Sequence, residues 1–316
     1  MLKKALAGAL ALIAAPAAAE TVTVAVSQIV EHPALDATRE GLKRGLADAG
    51  YVDGDNLAFV FQTAQGNAAT AAQIARSFVG DRPDVLVGIA TPTAQALAAA
   101  TQDLPIVFTA VTDPVGAKLV ETLAAPGGNV TGLSDMSPVG QHLDLMRVVK
   151  PSMTTVGVVF NPGEANAQSL VDMLKAEAAT RGLDVVEAPA PTSADVQTAA
   201  RSVAGRSDFI YAPTDNTVAS AIKAVIGAAD AAGVPVFGGS TTYVPDGAVI
   251  GLGFDYDAIG YQTADYVVRI LEGAAPAALP ARVATGSDIV VNLAAAKALG
   301  LTIPDATLAD ATEIIE

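Results

Sequence analysis

The sequence predicts an α/β protein made of two doubly wound lobes, each built around a parallel sheet. Short apolar runs rich in β-branched residues alternate with helical patterns along the chain. Such alternation is typical of parallel sheets with helices on both faces. The alternation begins again near Pro151, which indicates a second lobe. A length of 316 residues, 51% of them hydrophobic, is sufficient for two ordinary cores.

The charge and the rare residue types exclude several classes of function. The chain has 33 acidic and 18 basic residues and a formal net charge of -15, so phosphate backbones and anionic lipids would repel it. It contains no Cys, which excludes disulfides, thiolate metal sites and cysteine nucleophiles. It has only two His residues. We therefore expect no nucleic-acid partner, no membrane partner and no metal.

Residues 1–19 are typical of a secretory signal peptide. Lys3 and Lys4 precede an apolar run at 5–15, and Ala17 and Ala19 give the small-x-small pattern of a cleavage site. The run is shorter than the roughly 20 apolar residues that span a membrane. A lipoprotein would carry a Cys at the cleavage site, and this chain has none. We expect a soluble, exported protein without a lipid anchor.

The first half is predicted to contain five strands with helices between them. One helix lies within 33–50, because Leu35, Leu42 and Leu46 share a face, while Pro33 fits the first turn and Gly50 the stop. The predicted strands are residues 22–29, 57–62, 85–90, 106–111 and 130–133.

The second half repeats the pattern and ends in a short tail. The predicted strands are residues 156–160, 185–188, 209–212, 234–237 and 248–254. The predicted helices are residues 165–181, 194–204, 218–232 and 258–271. A short strand at 289–291, a helix at 293–299 and a loop are expected to follow.

Ligands of such sheets bind beyond the carboxyl ends of the strands, and these ends carry the candidate site. They are rich in hydroxyls, amides and carboxylates rather than Lys or Arg, which suits a small zwitterion or polyol better than a phosphate ester. The candidate ligand contacts are Gln28, Ala90, Thr91, Thr93, Ala94, Thr109, Asp113, Asp135, Asn161, Glu164, Asn166, Asp215, Asn216, Ser240, Thr241 and Asp255.

The segment after the third strand predicts a carboxylate site. Thr91 followed by Pro92 is typical of a helix N-cap and its first turn. The amides of Thr93 and Ala94, with the Thr93 hydroxyl, are then expected to face an incoming carboxylate at the positive end of the helix dipole. The alternative is that Thr91 only caps the helix.

An ammonium group is expected to meet Asp215, with Asn216 or Glu164 nearby. A carboxylate can hold an ammonium by charge-assisted hydrogen bonds. Asp215 also has the sequence position of a helix N-cap, so both roles stay open at this point.

Four aromatic residues are candidates for the wall around a ligand's side chain: Phe108, Tyr243, Phe254 and Tyr256. For Phe108, packing in the core of its strand is the competing interpretation. His32 precedes Pro33, and this position favours a residue at a helix start over a catalyst.

Signatures of common enzyme classes are missing from the sequence. It has no Gly-x-Ser-x-Gly elbow, no phosphate loop and no His-Glu-x-x-His motif. Gly251 and Gly253 lack the third glycine of a dinucleotide fingerprint. We expect neither catalysis nor a cofactor.

The motifs at the strand ends resemble those of bacterial ABC-transporter substrate-binding proteins of the tryptophan/tyrosine type. The resemblance covers nearly the whole chain after residue 19. Its stretches are residues 30–36, 89–95, 105–116, 126–132, 134–138, 164–166, 213–220 and 253–256.

This resemblance implies a type I periplasmic binding fold, with two lobes joined by a three-crossover hinge and a ligand held between them. The implied lobes are residues 20–136 with 254–284, and residues 137–253 with 285–316. It also implies a periplasmic location, an aromatic amino acid as ligand, and an inner-membrane permease with its ATPase as partner. We expect a monomer. The alternatives are a binder of a branched-chain amino acid, sugar or nucleoside, a ligand-presenting sensor, and an exported enzyme.

Overall fold

The computed structural model describes residues 21–316, so the predicted signal peptide lies outside the described residues. The first part of the chain forms β1 (Val22–Gln28), α1 (Pro33–Asp48), β2 (Leu57–Thr63), α2 (Ala68–Asp81), β3 (Val85–Ile89), α3 (Thr91–Ala100), β4 (Ile106–Thr109) and β5 (Val130–Ser134). These strands form a parallel sheet in the order β5-β4-β3-β1-β2. The predicted strands of the first half are confirmed.

The second part of the chain builds a separate sheet. Its elements are α4 (Val139–Val149), β6 (Thr155–Phe160), α5 (Ala165–Thr180), β7 (Asp184–Pro189), α6 (Val196–Ala204), β8 (Phe209–Ala212), α7 (Asn216–Ser220), α8 (Ile222–Ala232), β9 (Val236–Gly238) and β10 (Ile250–Gly253). The predicted helix at 218–232 is wrong in one respect. The backbone breaks at Ala221, with φ -127 and ψ 24, so α7 and α8 are separate.

The end of the chain contributes to both sheets. It forms α9 (Tyr256–Leu271), β11 (Arg282–Val283), β12 (Asp288–Asn292), α10 (Leu293–Ala298), α11 (Asp305–Asp310) and β13 (Glu313–Ile315). Strand β11 joins the first sheet beside β5, whereas β12 and β13 extend the second sheet beside β10. The predicted loop after residue 299 is therefore partly wrong, because α11 and β13 lie there.

The chain passes between the two sheets three times: after β5, after β10 and after β11. Only the β10–β12 pair is antiparallel among the strand pairs of the described chain. This topology confirms the predicted fold class of two parallel-dominated lobes with three crossovers. In residues 21–316, no helix has the length and apolar character that crossing a bilayer requires.

Each lobe has its own apolar interior because its central strands are buried on both faces. All five residues of β3 and the last five of β1 are buried. Helices cover both faces, so these strands are mainly apolar rather than alternating. Phe108 of β4 belongs to this core with no exposed surface, which confirms its competing interpretation.

Helices α1 and α9 cross at a very short distance, and glycines lie at the point of contact. A Cβ added at Gly260 would lie 1.9 Å from the Thr38 carbonyl oxygen, and one at Gly41 would lie 2.0 Å from the Asp257 carbonyl oxygen. Glycine at both positions therefore allows the two backbones to touch. The crossing fixes the start of α1 relative to the start of α9.

Candidate functional site

A small cavity lies between the two sheets at the carboxyl ends of their strands. The first lobe contributes the start of α1, the segments after β4 and β5, and the start of α9. The second lobe contributes the start of α5, the segment from β8 through α7, and the turn after β9.

Asp135 follows β5 and presents a buried carboxylate to this cavity. One oxygen accepts a hydrogen bond of 2.8 Å from the Tyr256 hydroxyl, and the other accepts one of 3.2 Å from the Thr112 hydroxyl. Burial raises the pKa of Asp135 above its ordinary value, because removal from water penalises the ionised form. A positive group in the cavity would stabilise the charge.

Asp215 lines the cavity from the opposite lobe and caps α7. Its Oδ1 accepts 2.9 Å from the Val218 amide, and its Oδ2 accepts 2.5 Å from the Asn161 amide. Burial, together with the nearby Glu164 carboxylate, raises the pKa of Asp215 well above its ordinary value. The predicted capping role is confirmed, and contact with a ligand stays a prediction.

Glu164 is held by donors of its own lobe. Its Oε1 accepts from the amide and hydroxyl of Thr217, at 3.0 and 2.8 Å. Its Oε2 accepts from the amide and side chain of Asn216, at 3.1 and 2.5 Å, and from Asn166 Nδ2 at 3.2 Å. Glu164 therefore fixes the start of α7, and it faces an outer groove rather than the cavity.

No positive side chain balances the carboxylates of this site in the described chain. The residues lining the cavity include no Lys or Arg. No ion pair of residues 21–316 includes Asp135, Asp215 or Glu164. Within the same range, no three His, Asp or Glu side chains are grouped as metal ligands would be. The arrangement suits an organic cation.

Several buried polar atoms around the cavity have no hydrogen-bond partner within the described chain. These atoms are Asn166 Oδ1, Thr214 Oγ1 and both ring nitrogens of His32, whose imidazole has the Asn216 side chain nearby but not at hydrogen-bond geometry. Buried polar groups are nearly always hydrogen-bonded, so such atoms indicate where a polar ligand binds. Burial lowers the pKa of His32, which favours the neutral imidazole.

Two tyrosines form the aromatic part of the wall. Tyr243 and Tyr256 both line the cavity, from the second and the first lobe. The Tyr243 hydroxyl donates to the Pro213 carbonyl at 3.2 Å, so its ring position is fixed. Burial raises the pKa of both phenols well above the ordinary value. Phe254, the remaining candidate, does not line the cavity.

The structure brings together five of the sequence-predicted site residues: Asp135, Asn166, Asp215, Asn216 and Ser240 line the cavity. Ser240 Oγ lies 2.8 Å from Thr242 Oγ1. Asn161 is adjacent and positions Asp215 through its amide. The common signal was a polar residue in the segment that follows a buried strand.

Several predicted residues bond elsewhere. Gln28 donates to Val30 and Asp36, at 2.9 and 2.8 Å, and so supports the turn into α1. The Thr109 hydroxyl accepts from Thr263 of α9 at 2.7 Å.

Three further predicted residues lie outside the cavity lining. Asp113 accepts from the Gly116 amide and the Ser169 hydroxyl, at 2.8 and 3.1 Å. Asp255 is exposed and caps α9, and Thr241 lies in the 3₁₀ turn Thr241–Tyr243.

The expectation at α3 needs a correction. The N-cap is Ala90, with φ 77, so Thr91 is the first helical residue. The Ala94 amide donates to the Ala90 carbonyl at 3.2 Å, and the Thr93 hydroxyl donates to the Ile89 carbonyl at 2.6 Å. The Thr93 hydroxyl and the Ala94 amide are therefore already bonded within the chain, because the helix starts one residue earlier than predicted, whereas contact of the Thr93 amide with a carboxylate stays a prediction. None of these α3 residues lines the cavity.

Sequence reasoning missed three polar cavity residues, His32, Thr112 and Thr214, and four apolar ones, Ala34, Leu35, Ala110 and Ala219. His32 is the N-cap of α1, as its place before Pro33 predicts, but its imidazole makes no cap hydrogen bond. Thr112 and Thr214 each precede a predicted acidic residue, and the polarity of these strand ends was the only available signal.

The sequence matches known proteins over most of its length. Residues 23–315 match the profile of a family described as ABC transporter substrate binding protein. A Clostridioides difficile protein named tyrosine-binding protein is 38% identical over 278 residues, which are 88% of this chain and 81% of that protein.

Three solved structures are similar along the whole fold. A conserved domain protein from Vibrio cholerae is 62% identical with a TM-score of 0.92, covering 93% of this chain and 100% of that one. A Streptococcus pneumoniae ABC domain in complex with L-Trp is 35% identical with a TM-score of 0.91, covering 94% and 100%. A ligand-free, open substrate-binding protein from Clostridium difficile is 39% identical with a TM-score of 0.71, covering 93% and 99%.

These matches agree with the two-lobed topology and with a cavity lined from both lobes. The family profile spans nearly all described residues, and the relatives align over most of their own length. On this basis the chain belongs to the ABC transporter substrate-binding proteins.

Proposed function

We propose that this protein captures an amino acid with an aromatic side chain between its lobes and presents it to an ABC importer, a membrane permease with its ATPase. The observation that carries the proposal is the cavity itself. Two buried carboxylates, two tyrosine rings and several unpartnered polar atoms line it from both lobes. The tyrosine and L-Trp in the names of its relatives support the same ligand class.

The carboxylates favour an amine over a neutral solute. Asp135 and Asp215 are buried without a cationic partner in the described chain, and their pKa values are raised. An ammonium group supplies the missing positive charge through charge-assisted hydrogen bonds. A sugar would leave both carboxylates without a counter-charge, which costs more than an ordinary missing hydrogen bond. The site contains no feature that favours catalysis, so we propose binding alone.

Closure of the two lobes is part of this proposal. The structure superposes on the L-Trp complex with a TM-score of 0.91 and on the ligand-free, open relative with 0.71, although the second sequence is slightly more similar. This supports a closed arrangement of the lobes here. We propose that residues 20–136 with 254–284 move as one body against residues 137–253 with 285–316.

Export to the periplasm is proposed from residues 1–19, with cleavage after Ala19. N-terminal sequencing of the periplasmic fraction tests this, and a cytoplasmic protein that starts at Met1 would contradict it. We also propose that the mature protein is a monomer, because one chain supplies both walls of the cavity. Light scattering during gel filtration measures its mass.

A ligand screen tests the function. The protein without residues 1–19 is heated with each of the common L-amino acids, with tryptamine and with representative sugars and nucleosides. We expect L-Trp or L-Tyr to give the largest rise in Tm, since a ligand at 100 times its Kd adds about 2.7 kcal/mol to the free energy of unfolding. A rise with a sugar or nucleoside, and none with an aromatic amino acid, would exclude the proposed ligand class.

A further inference from the structure

A zwitterionic ligand poses an electrostatic problem in this cavity. Its ammonium group suits Asp135 and Asp215, but its carboxylate is repelled by both, and by Glu164 nearby. Among the described residues that line the cavity there is no Lys or Arg to receive it. The carboxylate therefore needs neutral donors, placed where the local potential is positive.

The start of α1 provides such donors. The first helical hydrogen bond runs from the Asp36 amide to the His32 carbonyl at 3.0 Å. The amides of Ala34 and Leu35 come before it and therefore have no acceptor within the helix. Both residues are buried and line the cavity, and within residues 21–316 neither amide donates to a protein acceptor. The helix spans 16 residues, and its dipole makes this end positive.

His32 gives an independent indication at the same place. The residue is 9% exposed and lines the cavity, and neither ring nitrogen meets hydrogen-bond geometry with a partner in the described chain, although the Asn216 side chain lies near enough to interact with the ring. The imidazole does not cap α1, so the helix does not require it. A neutral imidazole carries one N–H donor, which suits a carboxylate oxygen.

The acidic residue of the first turn does not occupy these donors. Asp36 accepts from Gln28 Nε2 at 2.8 Å and from Arg39 Nη1 at 3.3 Å, outside the cavity. We propose that the ligand's carboxylate docks at the start of α1, on the amides of Ala34 and Leu35 and on an N–H of His32. This subsite rests on the proposed function and replaces α3 as the expected carboxylate position.

The test compares ligands with and without a carboxylate in three variants. His32→Leu removes both ring nitrogens, His32→Gln keeps a donor, and Thr91→Val removes the unpartnered hydroxyl at the competing position on α3. Calorimetry gives Kd for L-Trp and tryptamine, and for L-Tyr and tyramine, and circular dichroism confirms the fold of each variant.

We expect His32→Leu to weaken L-Trp or L-Tyr binding about 10- to 100-fold while it leaves the amine nearly unchanged, because a hydrogen bond to a charged group is lost. His32→Gln should recover part of this loss, and Thr91→Val should keep the full preference for the amino acid. An unchanged preference in both His32 variants, or its collapse in Thr91→Val alone, would overturn the subsite and leave the proposed function intact. A parent protein that binds neither amino acid would overturn both.

Discussion

At the scale of single residues, the two cavity carboxylates differ in the chemistry of their partners. Asp135 accepts from two hydroxyl groups, those of Thr112 and Tyr256. A hydroxyl can rotate and become an acceptor. Asp215 accepts from two backbone amides, those of Asn161 and Val218, which can only donate. The charge of Asp135 is therefore removable without breaking its local structure, whereas that of Asp215 is not.

Asparagine substitutions at the two positions test this difference between the carboxylates. Asp135→Asn should keep Tm close to that of the parent and weaken amino-acid binding about tenfold or more, because a charge-assisted hydrogen bond is lost. Asp215→Asn should lower the free energy of unfolding by about 1–3 kcal/mol, because its new amide group faces the amide of Asn161.

Asp255→Asn is the matched control, since this exposed residue caps α9 away from the cavity and Asn caps equally well. Calorimetry and thermal unfolding measure all three variants. Binding by Asp135→Asn as tight as that of the parent would show that Asp135 does not receive the ammonium group.

His142 makes stability depend on pH from inside the second core. Its ring is fully buried, with Nδ1 3.2 Å from the Tyr211 hydroxyl and its centroid 5.0 Å from that of Phe237. Burial lowers its pKa to about 3. The unfolded chain titrates near 6.5, so the contribution of His142 is complete above that pH and is lost as pH falls toward 3, by about 1.4 kcal/mol per unit.

Urea unfolding between pH 7.5 and 4.5 tests this contribution. His142→Gln does not titrate and keeps a hydrogen-bonding group beside Tyr211, so the parent should lose more stability than the variant as pH falls. Asp135 and Asp215, whose raised pKa values act in the opposite direction, are present in both proteins and cancel. Parallel pH profiles would contradict the assignment to His142.

At the scale of elements, the α1–α9 crossing connects the core to the cavity. His32 at the start of α1 and Tyr256 at the start of α9 both line the site. Their relative position depends on the contact at Gly41 and Gly260. A change at this crossing therefore affects both stability and binding.

Gly260→Ala should be strongly destabilising. Its Cβ would lie 1.9 Å from the Thr38 carbonyl oxygen, and this backbone neighbour cannot move without separating the helices. Overpacking of this kind costs about 1–3 kcal/mol or more. Gly227→Ala in α8 is the control, because its Cβ meets nothing within 4 Å and should stabilise the protein by up to about 1 kcal/mol. A Gly260→Ala variant with the same Tm as the parent would contradict the close crossing of the two helices.

The elements and the strand-end positions were predictable from sequence, because buried parallel strands are continuously apolar and end abruptly in polar residues. Asp135 and Asp215 were found in this way. The same pattern also selected Thr109, whose hydroxyl bonds to α9, since sequence does not show which way a side chain at a strand end points. The helix start at Ala90 was missed because that residue adopts a positive φ without being glycine.

At the scale of the whole molecule, the site exists only where the two lobes meet. Each lobe has its own core and sheet, so opening the cleft breaks few internal contacts. The closed arrangement nevertheless buries carboxylates from both sides, which opposes closure unless a ligand neutralises them. The ligand therefore binds the closed conformer more tightly than the open one. This difference in affinity shifts the population of the protein toward the closed conformer.

One direct hydrogen bond crosses the cleft outside the cavity. Its removal should destabilise the closed state while the residues that line the cavity stay unaltered. The Ser169 hydroxyl of α5 donates to Asp113 Oδ2, after β4, at 3.1 Å, and neither residue lines the cavity. Ser169→Ala should weaken amino-acid binding about two- to tenfold, since this hydrogen bond is only partly buried and contributes about 0.5–1.5 kcal/mol. The ligand-free Tm should stay unchanged, because each lobe keeps its core.

Ser202→Ala is the control, since that hydroxyl bonds within α6. Calorimetry would contradict the role of this contact if Ser169→Ala bound the ligand as tightly as Ser202→Ala.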